Sequence, residues 1–301
     1  MKFRLGKVER YIHEKIEKDG VVFFGLIDPF GKRKETSVKY AKAFDEAGAD
    51  IILIGGSIGA EGETLNEVVK MIKEVVKKPV MLFPGNIGGA SKYADALYFM
   101  SLLNSRNPYW ITGAQALAAP LIEQMKIEAI PTSLIIVEPG ETVGWVGEAR
   151  PIPVHKPEIA VAYALAGKFL GQRITIIERG SGAPGPAPPE MFTAVKKAVG
   201  HPVICAGSSK TLDDIEKTIM AGADGIHVAS LVQKAKDPYK EAKKIVEFTK
   251  KVGKKKKKKE FDARLKRLKS RILMKKKRVI EKKAEGLLEE QRKFIEKSYQ
   301  L

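Results

Sequence analysis

Short apolar runs rich in β-branched residues alternate along the first 253 residues with longer stretches whose apolar positions recur at helical spacing. The short runs predict eight strands. Because their residues are apolar at nearly every position, these strands are typical of a parallel sheet covered by helices on both faces. In chain order the predicted strands are residues 21–27, 51–54, 80–83, 96–100, 133–137, 174–177, 203–205 and 225–228.

Helical patterns separate most of these strands. The five clearest end in Gly, or in Lys followed by Pro, as helices commonly do. Residues 84–95, between the third and fourth strands, are too few and too rich in Gly for a full helix, so we expect an irregular element there. Eight strands with intervening helices predict an α/β fold, a modified (β/α)8 TIM barrel. The five helical patterns are residues 37–48, 65–78, 156–171, 188–200 and 212–222.

One sequence pattern occurs twice. "EAGADIILIGGS", residues 46–57, returns as "MAGADGIHVASL", residues 220–231. Both copies combine a helix end, a tight turn, a strand and small residues. Duplication of a half-barrel would produce this repeat, and so would two independent uses of a common loop between helix and strand.

The positive charge is concentrated at one end of the chain. The 301 residues carry a formal net charge of +18, and residues 254–301 hold 20 Lys/Arg against 7 Asp/Glu, a net charge of +13. We therefore expect a TIM-barrel domain over residues 1–253 and a Lys/Arg-rich, amphipathic helical tail over residues 254–301.

Several protein classes are not expected. No apolar run reaches the ~18 residues that span a bilayer, and residues 1–20 lack the apolar centre of a signal peptide. The single cysteine, Cys205, excludes an internal disulfide and fits a reducing compartment. These features predict a cytoplasmic protein.

In TIM barrels the functional site lies at the carboxyl ends of the strands. Strands six to eight end in residues 178–182, 206–209 and 229–230, which are rich in Gly, Ala and Ser. Such ends let backbone amides approach a phosphate closely, although small residues also form ordinary tight turns. The pattern favours a phosphate-binding cup.

Three side chains at or near strand ends are candidates for chemistry. Glu178 ends an apolar strand, where it would serve as a general base or ligand anchor, or pair with Arg179 or Lys210. Asp28 and Ser57 offer oxygen ligands for a hard cation such as Mg²⁺, although Asp28 before a proline also caps turns. His227 lies within a strand, where we expect it to pack rather than bind a metal.

Longer motifs identify the chain as similar to a known family. "FMSLLNS", "PYW", "GAQAL", "VEPG", "TVGWVG" and "GSGAPGPAPPEM" resemble the archaeal geranylgeranylglyceryl phosphate synthase family, and the resemblance covers about residues 20–253. It implies a modified (β/α)8 barrel, often in homo-oligomers. It also implies Mg²⁺-assisted transfer of a geranylgeranyl chain from its diphosphate to sn-glycerol 1-phosphate, the first ether-forming step of archaeal membrane phospholipid synthesis.

The resemblance also assigns residues by position. Asp28 and Ser57 match the family's magnesium ligands, and Glu178 would accept the proton of the glycerol hydroxyl. Trp110 would form a wall of the prenyl groove, although packing in the core explains it equally well. The residues that match the glycerol phosphate site are Ile176, Ile177, Glu178, Arg179, Gly180, Ser181, Gly182, Gly207, Ser208, Ala229 and Ser230.

Parts of the site depart from the family's pattern. The family usually has Tyr where this chain has Ile176, Ala at Arg179, Gly at Ser208 and Ala229, and often Asp at Phe30. These differences leave two alternatives: a catalytically altered or silent barrel tethered to a membrane or a nucleic acid, or the same chemistry with a different prenyl chain length.

The tail combines an apolar stripe with Lys and Arg. Such a helix is suited to an anionic membrane surface, where each Lys or Arg contributes about 1 kcal/mol, so the protein is expected to contact the inner membrane surface peripherally. A solvated tail or a short coiled coil fits equally well. Nucleic-acid binding is not expected, since no aromatic residues are interleaved with the charge. The stripe consists of Phe261, Leu265, Leu268, Ile272, Val279, Leu287 and Phe294.

Overall fold

Eight parallel strands form a closed barrel in the computed structural model, which describes residues 5–29, 31 and 33–298. Each strand pairs with the next along the chain, and the eighth closes on the first. This confirms the predicted barrel. The strands are β1 (Val22–Ile27), β2 (Ile51–Gly55), β3 (Val80–Phe83), β4 (Ala96–Leu102), β5 (Glu128–Ile136), β6 (Ile174–Glu178), β7 (Val203–Ala206) and β8 (Gly225–Val228).

Helices surround the barrel, and the five predicted from the sequence are all present. The link between β3 and β4 contains only a 3-10 turn, Ile87–Gly89, as expected from its length. Phe30 lies outside the described residues. The α-helices are α1 (Lys7–Asp19), α2 (Lys34–Glu46), α3 (Gly62–Val75), α4 (Ala114–Met125), α5 (Glu141–Val146), α6 (Pro157–Phe169), α7 (Pro189–Val199), α8 (Leu212–Met220), α9 (Ser230–Gln233) and α10 (Pro238–Ser298).

The strands bury both of their faces, as their continuous apolar character predicts. Phe24 and Ile176 point into the barrel and pack in an inner core, whereas Phe23 and Ile177 point outward and pack against the helices. Because side chains alternate along a strand, Glu178 points to the same inner side as Ile176. The carboxylate therefore stands directly above the apolar filling of the barrel.

The repeated pattern is explained by its structural role. Asp50 and Asp224 precede β2 and β8, and each carboxylate accepts a hydrogen bond from the first residues of a neighbouring strand, at Phe23 N (2.8 Å) and Val203 N (3.0 Å). Duplication of a half-barrel pairs strands four apart, but β2 and β8 are not so placed. The repeat is therefore two uses of one loop, and half-barrel duplication is wrong for this pair.

Helix α10 continues through the expected domain boundary at Gly253. Its first turns are held by ion pairs to the starts of the strands: Lys250 contacts Asp50, and Lys256 contacts Asp224 at 3.2 Å. The chain divides into one compact unit that ends at Lys256 and a second that begins at Lys257.

The second unit is helical to Ser298. Its stripe residues Phe261, Leu265, Leu268 and Ile272 are exposed, while the side chain of Phe294 lies outside the described residues. Among the described residues, no helix is both long enough and apolar enough to cross a bilayer.

Candidate active site

A cavity of about 1020 Å³ opens at the carboxyl ends of the strands, which is the upper end of the range for ligand pockets. It has a polar side formed by the ends of β6 to β8 and an apolar side formed by β3, β4 and α4. The cavity brings together most of the predicted site residues: Asp28, Ser57, Trp110, Glu178, Ser181, Gly182, Gly207, Ser208, Ala229 and Ser230.

Glu178 is a buried carboxylate on the cavity wall, with only 6% of its surface exposed. Its Oε1 accepts a hydrogen bond from Gly180 N at 2.6 Å. Burial raises the pKa of Glu178 from 4.5 to about 7, and the backbone hydrogen bonds from Gly180 and Arg179 oppose that rise. A carboxyl group with this pKa is suited to accept a proton near neutral pH.

Gly207 lies directly against this carboxylate. A β-carbon at Gly207 would overlap Glu178 Oε1, and the backbone there has φ of +78°, which favours glycine. The glycine therefore lets the loop after β7 pass close to Glu178 without moving it.

Ser208 holds two pieces of the cup together. Its hydroxyl donates to Gly180 O (2.8 Å) and accepts from Gly182 N (3.0 Å). Its φ of +56° lies in the left-handed region, which is uncommon for serine and which glycine adopts readily. The Ser208 hydroxyl is thus engaged within the protein rather than directed at a ligand.

Four of the residues predicted to hold glycerol phosphate do not line the cavity: Ile176, Ile177, Arg179 and Gly180. The two isoleucines are fully buried in the inner and outer cores. The Arg179 guanidinium donates to the carbonyls of Glu138, Gly185 and Pro186, so it braces the neighbouring loops instead. These three side chains therefore make their contacts within the protein, and the role of their segment in holding glycerol phosphate stays a prediction.

Asp28 and Ser57 line the same cavity. A β-carbon at position 56 would lie 2.7 Å from Asp28 Oδ1. Because Gly56 has no side chain, it leaves room beside the Asp28 carboxylate. A carboxylate and a hydroxyl are the oxygen donors that Mg²⁺ accepts, usually together with water and substrate phosphates. Among the described residues, no group of three or more His, Cys, Asp or Glu could hold a metal. The donor set therefore fits Mg²⁺ only with oxygens from a ligand.

The apolar side of the cavity is built around a π-helical turn, Tyr109–Gly113, just before α4. Trp110 in this turn is half-buried, lines the cavity and packs edge-on against Tyr109. Ser101 Oγ donates to Ile111 O at 2.7 Å and fixes the turn to β4. No helix is predicted here from the sequence, because α4 and this turn lack a clear polar face.

Three rings form the floor of the cavity. His227 Nε2 lies 3.1 Å from Tyr98 Oη, and Phe83 packs edge-on against both rings. Burial lowers the pKa of His227 to about 3, so the ring is neutral at physiological pH. His227 packs in the barrel, as predicted.

Comparison with known proteins settles the family. A sequence model of the PcrB family matches residues 13–249, more than half of the chain. This chain belongs to the PcrB family.

Close relatives of this PcrB-family chain carry one name. The geranylgeranylglyceryl phosphate synthase of Pyrococcus furiosus is 54% identical over 244 residues, covering 81% of this chain and 96% of that protein. That of Methanosphaera stadtmanae is 50% identical over 240 residues, covering 80% and 98%. The crystal structure of (S)-3-O-geranylgeranylglyceryl phosphate synthase from Thermoplasma acidophilum, in complex with its substrate sn-glycerol-1-phosphate, matches with a TM-score of 0.76 at 34% identity, covering 80% and 98%.

Two lysines at the cavity were not among the predicted ligands. Lys210 follows the loop after β7, and Lys234 follows α9; both line the cavity. The sequence signal that could have found Lys210 is its position directly after the Gly207–Ser209 loop. No comparable signal marks Lys234, because its relation to the cup depends on the short helix α9.

Proposed function

We propose that this PcrB-family protein is a prenyltransferase that joins sn-glycerol 1-phosphate to geranylgeranyl diphosphate through an ether bond. The observation that carries the proposal is the placement of Glu178. This buried carboxylate lies on a cavity with a phosphate-type cup on one side and an apolar groove on the other. The names of its relatives, at 50–54% identity, support the same reaction.

The cup would hold the acceptor. Gly182, Gly207 and the Ala229–Ser230 pair line the cavity and present backbone at the ends of β6, β7 and β8. Held there by its phosphate, glycerol phosphate would extend its hydroxyls toward Glu178. Fixing the phosphate therefore selects which hydroxyl meets the donor, and it lowers the entropic cost of reaction.

Glu178 would act as the general base. As the glycerol oxygen bonds to the first carbon of the prenyl chain, the bond from that carbon to the diphosphate oxygen breaks. The diphosphate leaves with the electron pair, and Glu178 accepts the hydroxyl proton. The hydrogen bond from Gly180 N keeps the carboxylate oriented during this transfer.

Asp28 and Ser57 would hold Mg²⁺ together with the diphosphate of the donor. A magnesium ion bound there would neutralise negative charge on the leaving group. The protein's own contribution is to place two oxygen donors on the cavity wall, with Gly56 leaving space beside Asp28.

The prenyl chain would lie in the apolar side of the cavity. Phe83, Met100, Trp110 and Ile122 supply aromatic and aliphatic walls along β3, β4 and α4. Burying a long hydrocarbon chain against such walls contributes roughly 0.8 kcal/mol per CH₂ group. We propose that Trp110 is one wall of this groove.

The tail and the outer surface extend the proposal. Residues 257–283 combine the exposed stripe with Lys and Arg, so we propose that they contact the anionic inner surface of the membrane, with the barrel in the cytoplasm. We also propose a homo-oligomer, because Trp145, Phe169 and Leu170 are large apolar side chains that are each at least 75% exposed in the single chain.

The experiment that tests the reaction uses labelled sn-glycerol 1-phosphate with geranylgeranyl diphosphate and Mg²⁺. The proposal expects label in the organic phase, a strong decrease with a chelator and its recovery on adding Mg²⁺. Glu178→Ala is the matched inactive variant. Equal extraction of label by wild type and Glu178→Ala would remove the proposed role of this carboxylate, and no extraction by wild type would contradict the reaction.

A further inference from the structure

Lys210 and Lys234 both stand beside the cup. Lys210 follows the Gly207–Ser209 loop directly. The backbone N–H of Lys234 donates to Ser230 O at 3.0 Å, which places Lys234 one helical turn after Ser230 and on the same helix face. Both lysine side chains are exposed and line the cavity. Lys210 thus follows the piece of the cup at the end of β7, and Lys234 follows the piece at the end of β8.

Among the described residues of the cavity wall, carboxylates outnumber Lys and Arg side chains. Three carboxylates line the cavity, Asp28, Glu178 and Glu241, and Lys244 is ion-paired with the last at 3.1 Å. A phosphate group carries about −1.5 to −2 charge at neutral pH and would be repelled by ionised Glu178. The backbone amides of the cup carry only partial charges, and a magnesium ion would lie on the diphosphate of the donor. Together they would offset the negative charge of the acceptor phosphate only in part.

Two other polar side chains at the cup are already engaged. Arg179 donates to three loop carbonyls, and the Ser208 hydroxyl bonds to residues 180 and 182. His227 lies at the floor and is neutral. Within the part of the chain that the structure describes, Lys210 and Lys234 are the Lys or Arg side chains on the cavity wall.

We propose that Lys210 and Lys234 bind the phosphate of the acceptor. They complete the phosphate cup, in which this chain departs from the glycine pattern that is usual in its family. The assignment rests on the proposed function for the identity of the acceptor. The backbone N–H groups of the cup orient the phosphate, and the two ammonium groups add positive charge. Loss of the ammonium groups therefore weakens phosphate binding without moving Glu178. They are binding residues and touch no reacting atom.

Calorimetric titration of the full chain with sn-glycerol 1-phosphate, and separately with inorganic phosphate, tests the assignment. Lys210→Met and Lys234→Met should each raise the Kd for both ligands about tenfold, and the double variant should raise it further. Lys210→Arg keeps the charge and should stay within about threefold of wild type. Lys236→Met is the matched control, because Lys236 is exposed nearby but does not line the cavity.

The outcomes separate this inference from the reaction. The inference is overturned if the double variant binds both ligands with wild-type affinity. It is also overturned if Lys236→Met loses as much affinity as the cavity variants. The KM values of active enzyme give a second readout: the double variant should raise the KM for sn-glycerol 1-phosphate and leave that for geranylgeranyl diphosphate within about twofold. If wild type binds phosphate through the lysines but forms no ether, the inference stands and the proposed function fails.

Discussion

The protonation of Glu178 depends on two opposing features of its surroundings. Burial above the apolar inner core favours the neutral acid, while the N–H groups of residues 179 and 180 favour the carboxylate. The resulting pKa of about 7 is well above the ordinary value of 4.5. Near neutral pH the group therefore exists in both forms and can accept a proton during turnover.

This pKa predicts the pH dependence of the reaction. A general base must be ionised, so kcat/KM should rise as the pH increases through about 7 and then level off. Glu178→Gln should lower kcat by about 100-fold or more and remove this rise. Because the phosphate of the acceptor also titrates near pH 6, the profile should be measured with the variant alongside wild type. An unchanged profile in Glu178→Gln would assign the rise to the substrate.

The same pKa affects stability. The folded carboxyl binds its proton more tightly than the unfolded one, so its contribution to stability is fully present below pH 4.5 and is lost as the pH rises through about 7. The loss should be on the order of 3 kcal/mol. Urea unfolding of Glu178→Gln should show a smaller decrease over this range. Parallel curves for the two proteins would contradict the raised pKa.

Gly207 gives a second prediction for a single residue. Gly207→Ala should displace Glu178, because the new β-carbon overlaps Oε1, and the residue must also keep a positive φ. We expect kcat/KM to fall roughly 10- to 100-fold, with about 1–2 kcal/mol lost from stability. Gly185→Ala in the neighbouring loop is the matched control, since a β-carbon there meets no atom within 4 Å. Similar losses in both variants would show that the loops, and not the carboxylate, are affected.

The sequence predicted that Glu178 and the small residues of the cup lie at one site, because the strands of a barrel end on the same face. It did not predict the orientation of Arg179, whose guanidinium reaches carbonyls that are distant in sequence. It also missed Lys234, which α9 brings to the cavity. Orientation and long-range contacts of this kind depend on the assembled barrel.

At the scale of the elements, acidic residues at strand starts tie the barrel together. Asp50, Asp95 and Asp224 each accept a backbone N–H from an adjacent strand and pair with a lysine. In two cases the lysine belongs to α10, so its first turns are fastened to the barrel. This face opposes the cavity and is expected to serve stability rather than catalysis.

Asp224→Asn tests this fastening. The carboxylate lies 2.6 Å from Lys196 Nζ and 3.2 Å from Lys256 Nζ, and Lys256 is buried. Removing the negative charge leaves a buried ammonium uncompensated, so the free energy of unfolding should fall by about 3 kcal/mol in urea titrations. Asp213→Asn, which breaks an exposed pair with Lys217, should leave it close to the wild-type value. Equal small effects would contradict a structural role for the buried pair.

Regular elements were predicted best where their periodicity was clear. All eight strands and five helices follow from apolar runs and stop signals. Strand β5 begins at Glu128, earlier than expected, because Pro131 and Thr132 interrupt its apolar run although Thr132 is buried. Helix α4 was missed because its Ala-rich sequence lacks a polar face.

At the scale of the whole molecule, the chain joins a catalytic barrel to a basic helical segment outside the region matched by the family. Residues 254–283 carry 17 Lys/Arg and 3 Asp/Glu, whereas residues 284–301 carry 3 Lys/Arg and 4 Asp/Glu. The positive charge of the tail is therefore confined to its first part. A membrane role for the tail should reside in that part.

Vesicle sedimentation tests the tail. The full chain should sediment with vesicles that contain anionic lipid, should bind less at high salt, and should bind neutral vesicles weakly. Truncation after Lys256 should abolish binding to anionic vesicles, and Leu268→Asp with Ile272→Asp should weaken it by interrupting the exposed stripe. Retention of full binding by the truncated chain would assign membrane contact to the barrel instead.

The most direct test of the central claim follows both substrates in one reaction. With sn-glycerol 1-phosphate and geranylgeranyl diphosphate carrying different labels, the wild-type protein should form one product that contains both labels and should release one diphosphate per product. Release of diphosphate without incorporation of the glycerol label, or no release at all, would contradict an ether-forming prenyltransferase.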